Sequence, residues 1–415
     1  FSSAGLRGLY AARDLAAGSE LVRIPSDALL ATSDNDAPPG TPPWPCSHEH
    51  ERMACCLLHR VHCGSIPRSV LNALPSPEEI RCPGPLWLWE DAQLEALGSP
   101  PLAELARFRA QEARLLADAL SRREDATVGA STLTEVEWAL AVVCSRTLSA
   151  FDVTTGEMVG VLAPVADLMN HCKDGGCDPT VTMEKDGSLV VITGRPLRAG
   201  EEVTFSYGQE LGNDFLLLQY GFQDSKEGHT LGGAPGSAQC TCEVSLEPLL
   251  GTDKDRWAAA ERASGPLLRS RPDGAIDTWQ PVGPRLSEAV LRMVLDAEGD
   301  STERGGQDAQ ADTSPQQRWA GAYSSVLEAG VRRIEAVQQR SHRHSDAWTN
   351  PSSTVNDDKI DEDNALAPTC IHLRLVEAER FRQQQLDILY AELGAIRSVV
   401  GDEKHAKPKD ITREP

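Results

Sequence analysis

Three short segments of the sequence carry residue types that could contact a ligand. The first contains Gly8 where a strand meets a turn, and a glycine there lets the backbone approach a ligand closely. The second ends in Asn170 and His171, whose side chains can each donate or accept hydrogen bonds. The third carries Tyr207 beside a glycine at a strand end, where a hydroxyl can point into a cleft. Taken singly, the Gly8 segment fits an ordinary turn better than a functional site, and the other two fit a turn or a satisfied core residue as well as they fit a functional site.

The elements that would position these segments are short strands. The runs 180–183 and 188–192 flank Asp186-Gly187, a pair typical of a β-hairpin because both residues tolerate positive φ. Residues 203–207 predict another strand, and the apolar run within 213–220 predicts a buried helix. The middle of the chain is therefore rich in strands.

Helices are predicted between the first and second segments. Residues 47–63 and 101–122 have helical periodicity, and a further helix is predicted to begin near Thr134, where Thr134-x-x-Glu137 fits a capping box. The stripe predicted to face the core in the 101–122 helix consists of Leu102, Leu105, Phe108, Leu115, Leu116 and Ala119.

Strand signals stop at about residue 244. Four helices are predicted beyond it, at 253–263, 284–298, 316–340 and 369–394. Two acidic, polar segments, 299–315 and 341–366, contain few apolar residues and are predicted to be disordered insertions. Segregated elements favour an α+β domain over 1–230 followed by an all-α domain over 244–415.

The charge of the chain excludes some partners. Lys and Arg number 40 against 62 Asp and Glu, a net charge of −22. Nucleic acid and anionic lipid both attract clustered positive charge, so neither is expected as a partner. No apolar run is long enough to span a bilayer.

The 11 cysteines are odd in number and irregularly spaced, which favours reduced intracellular thiols over a disulfide framework. Cys177 with Cys240 and Cys242 could offer three thiolates to zinc, but a closed structural site needs four ligands. Ordinary reduced cysteines, with no bound metal, are therefore expected.

Taken together, the segments resemble the SET-domain protein methyltransferases, in particular the type of the plant Rubisco large-subunit lysine methyltransferase. The residues that carry the resemblance are Leu6-Arg-Gly8, Asp167-Leu-Met-Asn170-His171, Glu201-Glu202-Val-Thr-Phe-Ser-Tyr207-Gly208 and Tyr220-Gly221-Phe222. Residues from about 45 to 135 occupy the place of an inserted helical subdomain, and the helical half that of a substrate-binding domain. The resemblance implies a β-rich SET fold with a pseudoknot.

The resemblance also implies a cofactor and a reaction. The cofactor would be S-adenosyl-L-methionine, and the activity protein-lysine N-methylation on a non-histone protein. Tyr207 would be the catalytic residue, where methyl donor and acceptor meet, and Asp167 would support its segment. The residues implied to bind the cofactor are Leu6, Arg7, Gly8, Arg146 (towards the carboxylate), Asn170, His171, Tyr207 and Phe222 (against the adenine).

Two alternatives remain open. Leu6 stands where the family usually has a glycine, which allows an interaction scaffold with the SET fold and little activity. A histidine-methylating branch typically has Asn and Trp at the positions of Leu148 and Ala166, and these apolar residues suit an aliphatic lysine better than an imidazole.

The acidic chain favours a basic segment around the acceptor lysine. The expected location is intracellular: the chloroplast if the source is a plant or alga, and otherwise the cytoplasm or nucleus.

Overall fold

The computed structural model describes residues 7–31, 37, 42–123, 128–172, 176–208, 211–224, 242–264, 267–269, 277–303, 314–349 and 368–400. Its N-terminal half combines short strands with helices, and its C-terminal half is mainly helical. The fold is therefore α+β, as the sequence predicts.

Among its described residues, the N-terminal half contains nine short strands in two sheets. They are β1 (Leu9–Tyr10), β2 (Glu20–Ile24), β3 (Leu30–Ala31), β4 (Thr147–Asp152), β5 (Met158–Leu162), β6 (Asn170–His171), β7 (Thr180–Met183), β8 (Leu189–Ile192) and β9 (Glu202–Phe205). One sheet has the order β2-β8-β7-β4-β5-β3 and the other the order β1-β9-β6. The predicted hairpin is present as β7 and β8, with Gly187 at a φ of 78° in its turn.

Most helices of this half lie between β3 and β4. The helices are α1 (Glu49–His62), α2 (Arg68–Leu71), α3 (Pro77–Ile80), α4 (Asp91–Glu95), α5 (Pro100–Ser121), α6 (Leu133–Arg146) and, after β9, α7 (Asn213–Tyr220). They enclose a core that includes Met53, Leu86, Leu97 and Leu120, here called the insertion core. A separate β core forms beneath the six-stranded sheet.

Helix α6 begins two residues earlier than predicted. Thr132 is its N-cap, and Thr132 and Glu135 form the capping box. The overlapping pair Thr134 and Glu137 also fits the capping pattern, but Glu137 instead forms a partly buried ion pair with Arg81. A tertiary contact therefore selects between two equally good local signals.

The predicted buried stripe of α5 is partly wrong. Leu105, Phe108 and Leu115 are 44%, 59% and 58% exposed. The face that packs against the insertion core is formed by Leu102, Ala103, Ala106, Ala113, Leu116, Ala117 and Leu120. Small alanine side chains let α5 approach its neighbours closely, so the size of a side chain did not identify the buried face.

The C-terminal half contains five helices and two short strands within the described residues. They are β10 (Glu243–Ser245), α8 (Glu247–Leu250), α9 (Lys254–Ser264), β11 (Trp279–Pro281), α10 (Pro284–Glu303), α11 (Pro315–Thr349) and α12 (Pro368–Val400). The antiparallel pair β10–β11 is an addition to the predicted all-helical half. Three-residue strands are too short for a period-2 pattern to be visible in the sequence.

Within the two segments predicted to be disordered, the structure describes helix at 299–303, 315 and 341–349. Helix α10 continues to Glu303 and α11 to Thr349, while 304–313 and 350–367 lie outside the described residues. No described helix is both long and apolar enough to cross a membrane.

Helix α12 connects the two halves. Ala378 and Phe381 belong to the insertion core, whereas Leu386 and Leu389 belong to the C-terminal core. Asn213, the first residue of α7, also donates a hydrogen bond to Gln384 of α12 at 3.0 Å. One helix thus packs into both cores.

Candidate active site

Three strands from distant parts of the chain form the small sheet at the centre of the candidate site. Strand β9 lies between β1 and β6. Leu9 pairs with Val203 in an antiparallel register, and His171 pairs with Phe205 in a parallel one. Because β6 and β9 are parallel, the residues that follow them emerge at the same edge of the sheet. The three segments singled out in the sequence are therefore neighbours.

Gly8 lies where the first segment meets the other two. The amide nitrogen Nδ2 of Asn170 donates to the Arg7 carbonyl at 3.1 Å and to Oε1 of Glu202 at 2.7 Å. A Cβ at position 8 would lie 2.7 Å from Glu202 Oε1 and 2.9 Å from Asn170 Nδ2. Real Cβ atoms do not approach polar atoms this closely, so any residue other than glycine would displace the side chain of Asn170 or Glu202. Leu6 lies outside the described residues.

Arg7 extends towards the helical insertion. Its Nη2 donates to the carbonyl of Ala73 at 3.2 Å. The side chain therefore ties the first segment to the insertion, while its backbone carbonyl accepts from Asn170.

Arg146, the last residue of α6, forms an ion pair with Asp167. Its Nη1 lies 2.9 Å from Oδ2 of Asp167, whose side chain is fully buried. Burial raises the pKa of the Asp167 carboxyl, and the neighbouring Arg146 opposes that shift. Arg146 Nε and Asp167 Oδ1 are buried and hydrogen-bond to no described residue. Asp167 thus orients a guanidinium that keeps an unused donor.

An aromatic cluster closes the site beyond the small sheet. The ring of Tyr207 lies 5.2 Å from that of His171, 4.8 Å from Tyr220 and 6.2 Å from Phe222, measured between centroids. Phe205 packs on the remaining side of Tyr207 at 5.1 Å. Tyr207 is therefore the centre of the cluster.

Two hydrogen bonds fix the geometry around Tyr207. Its hydroxyl donates to the Met169 carbonyl at 3.0 Å, and its backbone N–H donates to Nδ1 of His171 at 3.1 Å. The second bond makes Nδ1 an acceptor, so a neutral His171 ring carries its proton on Nε2. Burial raises the pKa of the Tyr207 phenol well above its ordinary value. Tyr207 is consequently a neutral donor at physiological pH.

Helix α7 delivers Tyr220 and Phe222 to the cluster through one turn. Gly221 caps the helix with a φ of 79°, and its N–H bonds to the carbonyls of Leu216 and Leu217. This left-handed position favours glycine because it has no Cβ. The turn places the residues on either side of Gly221 in the same aromatic cluster.

The sequence matches a known family over the region that contains most of this geometry. Residues 6–208 match the family model of the SET domain. The chain carries a SET domain. The turn with Phe222 follows directly after the matched region.

The chain is also similar to solved structures of Rubisco LSMT. One, titled as Rubisco LSMT bound to sinefungin and monomethyllysine, shares 17% identity over 95% of this chain and 85% of that chain, with a TM-score of 0.49. Another, titled as the SET domain of LSMT bound to lysine and AdoHcy, shares 17% identity over the same shares, with a TM-score of 0.48. A third, Rubisco LSMT bound to AdoMet, shares 16% identity over 97% and 90%, with a TM-score of 0.47. No curated protein matches the sequence.

The structure adds two residues that the sequence analysis did not place in the site. Glu202 holds the amide of Asn170, and Tyr220 packs directly on Tyr207. Both lie inside the quoted motifs, so position within the motif was the available signal. Their roles depend on contacts between segments, which spacing alone does not reveal.

Two of the three cysteines considered for zinc lie in different cores of the protein. Cys177 is buried in the β core beneath the SET sheet, and Cys242 is buried in the C-terminal core. Cys240 lies outside the described residues. Within the part of the chain that the structure describes, no group of three or more His, Cys, Asp or Glu side chains is arranged to bind a metal ion.

The two residues that bear on the choice of acceptor are apolar core residues. Leu148 on β4 and Ala166 in the turn before Asp167 are both buried in the β core. Neither can offer a side-chain hydrogen bond to an imidazole.

Proposed function

We propose that the protein is an S-adenosylmethionine-dependent protein-lysine N-methyltransferase that acts on a non-histone protein. The observation that carries this proposal is the meeting of Asn170, Tyr207 and Phe222 at one edge of the small sheet in a SET domain. An interaction scaffold would not need a polar cradle and a hydrogen-bonded tyrosine hydroxyl at the same edge.

The residues of the cradle fit the cofactor. Arg146 keeps a buried Nε donor with no acceptor among the described residues, which suits the carboxylate of S-adenosylmethionine. Because Gly8 has no Cβ, the side chains of Asn170 and Glu202 can pack directly against the backbone of the segment proposed to face the cofactor. Phe222 offers an aromatic face to the adenine. The ring centroid of His171 lies 6.1 Å from that of Phe222. When bound, S-adenosylmethionine supplies a methyl group that its positive sulfonium has already activated.

The chain's own residues would then align the acceptor rather than attack it. An uncharged Tyr207 hydroxyl can orient a lysine amine by hydrogen bonding, and Tyr220 extends the aromatic wall along which the aliphatic stem would lie. The acceptor must arrive as a neutral amine and release one proton to water on transfer. Aromatic walls lower the pKa of a lysine by desolvation, which favours that neutral form. Catalysis here rests on proximity and orientation.

The acceptor is proposed to be lysine in a basic segment of its protein. Leu148 and Ala166 give no hydrogen-bonding side chain for an imidazole. A net charge of −22 attracts a positively charged target segment and speeds its association.

The test is calorimetric titration with S-adenosylmethionine and S-adenosylhomocysteine. We expect the wild type to bind with a micromolar Kd, about −8 kcal/mol, and Asn170→Ala to bind at least tenfold more weakly. Gln339→Ala, which removes an exposed amide from α11, is the matched control and should bind as the wild type does. Absence of binding by the wild type would refute the methyltransferase proposal in favour of a scaffold.

The acceptor is identified by incubating the protein with isotope-labelled cofactor and candidate proteins, followed by peptide mass spectrometry. Label on a lysine side chain supports the proposal. Label confined to histidine would replace lysine by histidine as the acceptor.

A further inference from the structure

Arg374 of α12 is a fully buried cation whose hydrogen-bond acceptors are all uncharged. It has no exposed surface. Its guanidinium donates to the Arg81 carbonyl at 2.7 Å, the Pro83 carbonyl at 2.9 Å and Oε1 of Gln93 at 2.8 Å. Burial lowers the pKa of this group, because desolvation disfavours the charged guanidinium. A buried charge held in this way is stable only while those carbonyls stay in place.

Two of these acceptors belong to residues 81–84, here called the buttress loop. Trp89 also hydrogen-bonds to this loop, since its Nε1 donates to the carbonyls of Pro83 at 3.0 Å and Gly84 at 2.9 Å. The Arg374 guanidinium lies 5.7 Å from the Trp89 ring centroid. Arg374 and Trp89 thus hold the buttress loop together.

The buttress loop touches the turn that positions Phe222. A Cβ built on Gly221 would lie 2.4 Å from both the carbonyl carbon and the oxygen of Gly84. The two glycine backbones are therefore in direct contact, and neither can move towards the other. Any displacement of the loop away from Gly221 removes the support behind the turn that joins Tyr220 to Phe222.

Helix α12 also holds the other end of this turn. Gln223 is 5% exposed, and its Nε2 donates to the Glu377 carbonyl at 2.8 Å and to Glu377 Oε2 at 2.7 Å. The residues on both sides of Phe222 are therefore braced, directly or through the buttress loop, by a single helix of the C-terminal half.

We propose that Arg374 is a positioning residue for the SET site, acting through the buttress loop and Gly221 to hold Phe222 against the cofactor. This rests on the proposed function for the identity of the ligand. The contact chain itself does not depend on it. Helix α12 then influences the affinity of the site for the cofactor, in addition to any role in binding the protein substrate.

The test compares Arg374→Met with Arg382→Met. Arg382 is the matched control: it is 3% exposed on the same helix and also docks on the insertion, but it donates to the Ala96 carbonyl and to Glu379. Both variants lose a buried guanidinium, so both should be less stable. Only Arg374→Met should speed amide hydrogen exchange in the peptide covering 213–224.

Kinetic constants provide a second measurement on the Arg374→Met variant. For Arg374→Met we expect the Kd and KM of S-adenosylmethionine to rise about tenfold, with kcat at saturating cofactor within about twofold of the wild type. Arg374→Lys should restore part of the affinity. A general loss of structure would lower kcat and the fraction of active protein instead.

Equal exchange rates over 213–224 in the two methionine variants would overturn the proposal. Failure of the wild type to bind the cofactor would refute the proposed function, while the exchange comparison would still decide the contact chain. If Arg374→Met does not fold, Trp89→Phe takes its place, because it removes the Nε1 hydrogen bonds to the buttress loop and keeps an aromatic ring. Normal exchange in Trp89→Phe would then overturn the proposal.

Discussion

The SET region and the C-terminal helical region hold their polar groups in different ways. In the SET region, strands of two to six residues bring Gly8, Asn170 and Glu202 together from three parts of the chain. In the helical region, ion pairs connect residues one turn apart on the same helix, as in Arg292–Glu288 and Arg332–Glu328. The SET site depends on close approaches between short strands, whereas the C-terminal region combines ion pairs within helices with a core packed between long helices.

This difference separates function from stability. A site assembled from short strands depends on each close contact between them. A displacement of one site residue by a few tenths of an ångström is not compensated by packing along a long element. Helices of 33 and 35 residues distribute their packing over many side chains. Apart from Arg374, which contacts the buttress loop, single substitutions should therefore affect ligand binding and turnover in the first region, and stability in the second.

The largest effect is expected from two tyrosines, one half-buried and one buried, that lose only their hydroxyls. Tyr207→Phe should lower turnover about 100- to 1,000-fold with cofactor binding nearly intact, because the hydroxyl would act on the transferring group. Tyr323→Phe should leave turnover unchanged and cost about 1 to 2 kcal/mol of stability. Its hydroxyl is buried in the C-terminal core and donates to Oε1 of Glu392 at 3.0 Å.

These outcomes are measured by steady-state methyl transfer, calorimetry and thermal unfolding. Wild-type turnover in Tyr207→Phe would remove the tyrosine from the mechanism. A matching loss of turnover in Tyr323→Phe would show that the two regions are not separable in this way.

An intermediate effect is expected from alanine at two glycines. Gly8→Ala should weaken binding of S-adenosylmethionine about 10- to 100-fold, because the new Cβ displaces Asn170 or Glu202 at a cost of about 1 to 3 kcal/mol. Gly321→Ala on α11 meets no heavy atom within 4 Å and should stabilise the protein by up to about 1 kcal/mol. Calorimetry and thermal unfolding of both variants check these opposite signs, and a Gly8→Ala protein that binds normally would contradict the close approach.

The smallest effect is expected from two capping boxes. Thr132 and Glu135 cap α6, while Ser314 and Gln317 make the same pair of bonds at the start of α11. Burial alone would raise the pKa of Glu135, but hydrogen bonds from Thr132 and His62 lower it overall. A lowered pKa means that the ionised form stabilises the fold. That contribution is present above the ordinary value of 4.5 and is lost as the pH falls through the lowered pKa.

Glu135→Gln should therefore flatten the acid limb of the stability curve, whereas Gln317→Glu should steepen it. Each change is expected to be below about 1 kcal/mol, since these caps face solvent. Thermal unfolding midpoints between pH 3 and pH 7 measure the effect. Identical acid limbs in the wild type and Glu135→Gln would show that the carboxylate contributes nothing to the cap.

Much of the fold was predictable where periodicity was strong. The helices near 47–63 and 213–220 and the hairpin at Gly187 are present, because apolar spacing and turn chemistry are local properties. The start of α6 and the buried face of α5 were predicted wrongly. In both cases several local patterns were equally good, and packing against the insertion core selected among them.

By itself, the sequence determined the α+β organisation, the SET motifs and the short list of polar and aromatic residues around Tyr207. Only the tertiary structure decided that Glu202 holds Asn170, that Asp167 holds Arg146 and that Arg374 braces the turn before Phe222. The physical reason is distance along the chain. Residue type and spacing act over a few residues, whereas these contacts join segments up to 293 residues apart and exist only after the cores have packed.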